Sequence, residues 1–212
     1  MQKRVVCFGD SNTWGYNAEN TDRFSEDIRW PCLLQRWLGD YYQVVEEGLP
    51  GRTSVSEDPL FEGLNAYHYI HPCLKSHAPL ELVVIMLGTN DTKERFGLTA
   101  YNIAQGIVRL AHKAKSTETG KETGIPKVLV VAPPIIDPNY CNTNVRFSMG
   151  KNCDVKSKEL PVYLKQLIAG TDIEFLDTSE AVSMNDIDYM HLDKEGHELL
   201  AEHVLKKVKE II

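Results

Sequence analysis

Leu80 to Leu87 is the most apolar run in the chain, with Leu82-Val83-Val84-Ile85-Met86-Leu87 uninterrupted. So short a run, rich in β-branched residues, reads as a strand, and the absence of polar alternation means that both its faces are covered. Such a strand belongs in the middle of a parallel sheet with helices on either side. Val5 to Phe8, Tyr42 to Val45, Lys127 to Ala132 and Ile173 to Leu176 supply the other strands. Helical spacing runs from Trp30 to Leu38, stopped at Gly39, from Thr99 to Lys115 and from Leu160 to Ala169. A last helix starts at Asp193 as N-cap and carries Leu199, Leu200, Val204, Val208 and Ile211 on one face. Leu60 to His77 reads as largely helical, with Pro72 expected to kink or break it. Alternating strands and helices make βαβ units. The expected fold is a three-layer α/β domain with a mostly parallel five-stranded sheet, spanning residues 1–212 as one domain.

Three of these strands end in turns of polar residues and glycine. Val5-Val6-Cys7-Phe8 runs into Gly9-Asp10-Ser11-Asn12, the second strand into Gly48-Leu49-Pro50-Gly51-Arg52-Thr53, and the central strand into Gly88-Thr89-Asn90-Asp91. In a parallel sheet the strand C-termini share one edge, where ligands bind, so these turns converge there. A fourth polar stretch, Asn185 to His191, precedes the last helix. Residues 16–27 read as a loop beside the Ser11 turn, and 116–124 as polar and exposed. Ile135 to Lys158 shows no period and reads as a long excursion, of the kind that usually serves a site.

Together the turns hold the parts that acyl transfer needs. A serine hydroxyl is a weak nucleophile until an imidazole takes its proton. Ser11 is the candidate nucleophile and His191 the candidate base. Asp188, three residues before His191, can reach the imidazole Nδ1, fix its tautomer and stabilise the imidazolium. The backbone N–H groups of Ser11 and Gly51 and the side-chain amide of Asn90 can hold an oxyanion. Each residue also has a plainer reading. Ser11 could cap the next helix, Asn90 could close its own turn, and Gly51 could serve only a positive φ.

Other chemistries find less support. With a net charge of −7 there is no basic excess to neutralise phosphates, so no nucleic-acid partner is expected. GxGxxG and GxxxxGK[ST] are both missing, which disfavours dinucleotide and P-loop functions. His68 and His71 are three apart but lack a third-ligand pattern, so surface or packing roles are read for them and no metal is assigned. His197 and His203, on the last helix, are read as outside the site. Five cysteines without CxxC spacing fit reduced thiols in a cytoplasmic protein, and a Cys141–Cys153 pair would require secretion. No signal peptide, transmembrane helix or membrane partner is expected.

With these residues in place, the chain resembles the GDSL-type, or SGNH, hydrolase family from about Arg4 to its C-terminus. The family's Ser, Gly, Asn and His blocks have counterparts in order: Gly9-Asp10-Ser11-Asn12, Gly48 to Thr53, Gly88 to Asp91, and Asp188-Tyr189-Met190-His191. The resemblance places the second donor at Gly51, before Arg52-Thr53, rather than at Gly48. Asn12 stands where leucine is commoner, and Tyr189-Met190 where small or β-branched residues are usual. Arg23-Phe24, Arg29-Trp30, Glu46 to Leu49, Ile85 to Lys93 and Lys127 to Val131 resemble the arylesterase/acyltransferase branch.

That resemblance implies a flavodoxin-like αβα sandwich and hydrolysis of short-chain acyl esters through an acyl-enzyme, with acyl transfer to alcohols in some members. It calls for no metal or cofactor. A small acyl ester is the expected partner, and a homo-oligomer, with residues 16–27 as a natural contact surface, is a further expectation. Asp10, Asn12 and Trp14 are candidate substrate contacts, and Trp30 could line the acyl pocket. The same machinery would serve a carbohydrate O-acetylesterase or a thioesterase. A non-catalytic sugar- or acyl-binding module has no need of a base such as His191.

Overall fold

The computed structural model describes residues 2–120 and 124–212. In chain order its elements are β1 (Lys3–Gly9), the one-turn α1 (Ser11–Trp14), the two-residue strands β2 (Tyr16–Asn17) and β3 (Asp22–Arg23), α2 (Trp30–Leu38), β4 (Tyr42–Gly48) and α3 (Ala66–Ser76). Then come β5 (Leu82–Met86), α4 (Ala100–Ser116), β6 (Lys127–Ala132), the short α5 (Arg146–Met149), α6 (Cys153–Ile168), β7 (Glu174–Asp177) and α7 (Lys194–Ile211). The main sheet has the order β4-β1-β5-β6-β7, and every neighbouring pair is parallel. This is the doubly wound order of the flavodoxin type. The chain leaves β1 toward one edge and later returns to its other side. The crevice opened by that reversal lies at the C-terminal end of β1.

Both sheet faces are buried, as the unbroken apolar run of the central strand requires. Val6, Phe8, Val83, Ile85, Val128 and Val130 point to one face and pack with α3, α4 and α6. Val5, Cys7, Leu82, Val84, Met86, Leu129 and Val131 point to the other and pack with α2 and α7. A third, smaller cluster joins Ile136, Tyr140, Met149 and Cys153 to Met190.

Several stretches differ from the sequence reading. Only Ala66–Ser76 of the expected 60–77 helix is helical, because Asn65 caps it by accepting from Tyr67 N at 2.9 Å. Leu60 and Phe61, which suggested an earlier start, are exposed. The helix continues through Pro72 to Ser76 without a break. The 135–158 excursion contains a 3-10 turn at Pro138–Asn142, helix α5 and the start of α6. Its amide and hydroxyl groups are tied down: Ile136 N donates to Ser157 Oγ at 2.9 Å, and Tyr140 Oη to Gly150 O at 2.8 Å. Thr117 and Thr119, expected to be exposed, are buried, with their hydroxyls donating to Lys113 O and Thr117 O. Residues 121–123 of that segment lie outside the described residues. All five cysteines are free thiols, and no helix among the described residues is long and apolar enough to cross a membrane.

One close approach sets the position of α1. A Cβ on Gly48 would stand 2.2 Å from Trp14 N and 2.6 Å from Trp14 Cα, so the end of β4 and the last turn of α1 touch backbone to backbone. Gly48→Ala should therefore cost at least about 1–3 kcal/mol of stability, as overpacking does. Urea denaturation measures this, and an unchanged midpoint would show that α1 does not rest on β4.

Candidate active site

Strand β1 ends at Gly9, and Asp10 turns the chain into α1 by accepting Asn12 N at 3.0 Å on Oδ1. Gly15, at φ 89°, closes that single turn by donating to Ser11 O at 2.9 Å. Ser11 is the first helical residue, so its N–H has no acceptor within the helix. Its side chain is buried at the sheet edge, where the residue is 4 % exposed.

His191 Nε2 lies 2.9 Å from Ser11 Oγ, and His191 Nδ1 lies 2.6 Å from Asp188 Oδ2. An ionised carboxylate accepts only, so Nδ1 carries the proton and Nε2 is left to accept from the serine hydroxyl. The other Asp188 oxygen accepts from Met190 N at 3.2 Å, His191 N at 3.1 Å and Asn185 Nδ2 at 3.0 Å. Burial alone would raise the Asp188 carboxyl. Hydrogen bonds from His191, Met190 and Asn185 outweigh it and hold the group below the usual carboxylate range. Asn185 closes the loop from the other side, accepting from Ile187 N and Asp188 N and donating to His191 O. Tyr189 adopts a positive φ of 64°, and Asp137 N donates to its carbonyl at 3.0 Å.

The oxyanion candidates follow three adjacent strands, β4, β1 and β5. Gly51 sits at φ 84° in a turn closed by Arg52 N on Leu49 O, and its own N–H has no partner among the described residues. Arg52 fixes this turn to β1. Its guanidinium lies 4.2 Å from the Phe8 ring and donates to Gly9 O at 2.9 Å and to Glu47 O. Asn90 opens a 3-10 turn, and its Nδ2 is buried without a hydrogen-bond partner among the described residues. Leaving a buried donor unpaired costs about 1–3 kcal/mol, so such a group calls for an explanation. Next to it, Asp91 accepts from Ser54 N at 2.9 Å and Ser54 Oγ at 2.6 Å, which joins the Asn90 turn to the Gly51 loop. Burial pushes the Asp91 carboxyl up to about 6, with the charge of Asp10 adding to the rise and Ser54 opposing it.

Asp10 and Asn12, expected at the substrate, are turned to other work. Asp10 is buried beneath the turn it caps. Asn12 donates through Nδ2 to Met190 O at 3.2 Å and accepts from Leu192 N at 2.9 Å, so it grips the chain on both sides of His191. Trp14, three residues after Ser11, is half-buried under the Arg23 guanidinium at 5.2 Å. Trp30 is a core residue, with no surface left for a pocket. Three of the branch-like residues form one brace, in which Arg29 holds Glu46 with two bonds of 2.9 and 2.8 Å and Arg23 reaches the same carboxylate at 3.4 Å.

His197, read as outside the site, is fully buried. Its Nδ1 accepts from Trp30 N at 3.3 Å, and burial with nearby Arg29 pushes its pKa down to about 3, so it is neutral. His68 pairs with Glu57 at 2.9 Å, and His71 meets Thr117 Oγ1 at 3.4 Å. Tyr16 escaped the sequence reading. Its ring packs on His191 at 4.3 Å between centroids, tilted by 40°, and nothing in the polar segment 16–27 marked it beyond its aromatic side chain.

Two substitutions test this scaffold. Asn12→Ala should lower the reactivity of Ser11 toward a short ester by up to about 100-fold, because small misplacements of a base are that costly. Circular dichroism should show an unchanged fold, and full activity would mean that the 185–191 loop holds itself. Tyr16→Phe should keep the rate, whereas Tyr16→Ala should lose about 10- to 100-fold by the same argument. Equal rates in both variants would remove the ring from the argument.

The chain is similar over most of its length to a known family and to several solved structures. A sequence model of the GDSL-like lipase/acylhydrolase family matches residues 7–199. No curated protein matches the chain. Among solved structures, the aryl esterase of M. smegmatis is 35% identical with a TM-score of 0.92, covering 99% of this chain and 100% of that one. Est24, a carbohydrate acetylesterase from Sinorhizobium meliloti, is 38% identical with a TM-score of 0.89, covering both chains fully at 100% each. A carbohydrate acetylesterase family member from the same organism is 33% identical with a TM-score of 0.91 and 99% coverage of both chains. With a family match over most of its length and esterase structures aligned end to end, the chain belongs to the GDSL-like lipase/acylhydrolase family of carboxylic ester hydrolases.

Proposed function

We propose that the protein is a serine esterase for short acyl esters that works through Ser11, His191 and Asp188. The observation that carries this reading is the continuous contact from Asp188 Oδ2 through both nitrogens of His191 to Ser11 Oγ, at 2.6 and 2.9 Å. As Ser11 Oγ attacks the ester carbonyl carbon, His191 Nε2 takes the hydroxyl proton. The carbonyl electrons move onto oxygen, and the oxyanion is held by Ser11 N–H, Gly51 N–H and Asn90 Nδ2. The unpartnered Asn90 amide supports that role, since it gains an acceptor only as the oxyanion forms. The tetrahedral intermediate then collapses, the C–O bond to the leaving alcohol breaks, and His191 returns the proton to that alcohol. Water repeats the sequence on the acyl-enzyme, with His191 again as base. An alcohol entering in place of water would give acyl transfer. Ser11 and His191 are only 4 % and 8 % exposed, which favours a small acyl group such as acetyl. Trp14, three residues after Ser11 and half-buried, offers an aromatic surface for a leaving group.

A second reading uses the same residues. The likeness to carbohydrate acetylesterases, at 33% and 38% identity, favours an acetylated sugar as substrate.

The test is hydrolysis of p-nitrophenyl acetate and p-nitrophenyl octanoate by wild type and Ser11→Ala. Acetate should be preferred and its turnover lost in the variant. Asn90→Ala should lower kcat about 100- to 1,000-fold, the usual cost of one oxyanion donor. Retained turnover in Ser11→Ala would sink the mechanism, and relative kcat/KM on aryl acetates and acetylated sugars separates the two substrate readings. Asp188, held below the usual carboxylate range, should keep its charge until the solution is more acid than an ordinary carboxylate requires.

A further inference from the structure

Away from Ser11, Glu47, Cys73 and His77 bring a carboxylate, a thiol and an imidazole together, with their ligand atoms all within 4.8 Å of one another. Cys73 lies in the last turns of α3 and His77 is its C-cap, four residues on, so the two side chains share a face. Glu47 reaches them from β4. His77 Nε2 stands 2.7 Å from Glu47 Oε1, and Tyr69 Oη stands 3.5 Å from the other carboxylate oxygen. Arg4 Nη1 donates to His77 O at 2.5 Å and to Ala78 O at 3.3 Å, which anchors the end of α3 over the strand.

We propose that Glu47, Cys73 and His77 form a binding site for a divalent transition-metal ion of the zinc class. Thiolate, imidazole and carboxylate are the donors that zinc takes, and three of them with one open position make a four-coordinate site. Binding would release the Cys73 thiol proton to solvent. The imidazole would carry its N–H proton on Nδ1, leaving the Nε2 lone pair for the metal. A dication held by one carboxylate and one thiolate is neutral overall. Because only one proton leaves, binding raises the local charge by one, from that of the Glu47 carboxylate to neutral, beside Arg52, whose guanidinium lies 5.4 Å from the Tyr69 ring. Metal–ligand bonds of about 2.0–2.3 Å require the Glu47–His77 contact to open slightly. Both side chains, 18% and 30% exposed, are free enough to do so, and their exposed side admits water to the fourth position. The ion would tie the end of α3 to the last residues of β4, whose Glu47 carbonyl already receives Arg52 from the Gly51 loop. No sequence motif announces this site, because Glu47 and His77 are 30 residues apart.

The test is a Co2+ titration of the chelator-treated full chain, followed by absorbance, with Zn2+ displacement. One equivalent should bind with a thiolate-to-cobalt charge-transfer band and the intense visible bands of a tetrahedral site. Cys73→Ser and His77→Ala should each weaken binding by more than about 100-fold, since even outer-shell partners are worth about 10- to 100-fold. Cys141→Ser, which removes the exposed thiol, should leave the titration unchanged. His77 is partly exposed, so its variant keeps the question open to experiment even if Cys73→Ser disturbs the core. Absence of the band in wild type, its survival in His77→Ala, or its loss in Cys141→Ser would overturn the assignment.

Discussion

The side chain of Asn12 holds the two ends of the molecule together. It follows Ser11 directly, and its two polar atoms bond to Met190 O and Leu192 N, 178 and 180 residues further on. One amide therefore sets the register between the strand end that carries the hydroxyl and the loop that carries the imidazole. Loop 185–191 has no regular structure to stiffen it. Its shape comes from Asn185 and Asp188, which between them satisfy its turning N–H groups, and from Asn12, which fixes it to the sheet edge. The Met190 side chain completes the anchorage by packing with the excursion after β6.

Around this axis the buried acids have separate tasks. Asp188 faces His191 and stays readily ionised. Asp10 and Asp91 are both fully enclosed, and burial raises each of them. Their oxygens serve backbone and hydroxyl donors, at Asn12 N and at Ser54. They shape the turns that present Ser11 and Asn90. The difference follows from hydrogen-bond supply: the Asp188 carboxylate gathers donors from His191, Met190 and Asn185 and can carry its charge.

Much of this architecture is legible in the sequence because it rests on local chemistry. An apolar run without alternation can only be a covered strand, and a polar turn after such a strand can only lie at the ligand-binding edge. Ser11, Gly51 and Asn90 stand out for that reason, and the 188–191 loop as part of the polar stretch before the last helix. Where the reading failed, distant contacts decided. Leu60 and Phe61 continue the helical spacing but lie outside the helix, and Asn65, not periodicity, sets where α3 starts. Helix α6 begins at Cys153, inside a stretch too polar to show a period, because Asn152 turns the chain at φ 61° and the Cys153 N–H finds Tyr140 Oη. Asn12 reads locally as a turn residue, and no neighbouring residue signals that its partners lie near the far end of the chain. Tyr16 likewise gains its meaning only from the ring it meets.

The span bridged by Asn12 has a consequence for synthesis of the chain. The Ser11 hydroxyl lies in the turn after β1, whereas the imidazole and its carboxylate arrive with the last loop before α7. A nascent chain therefore carries Ser11 through most of the synthesis of this fold before the segment with His191 can dock beside it. Fragments ending before His191 have no imidazole at Ser11, so the contact between the two forms only once that last loop has been made.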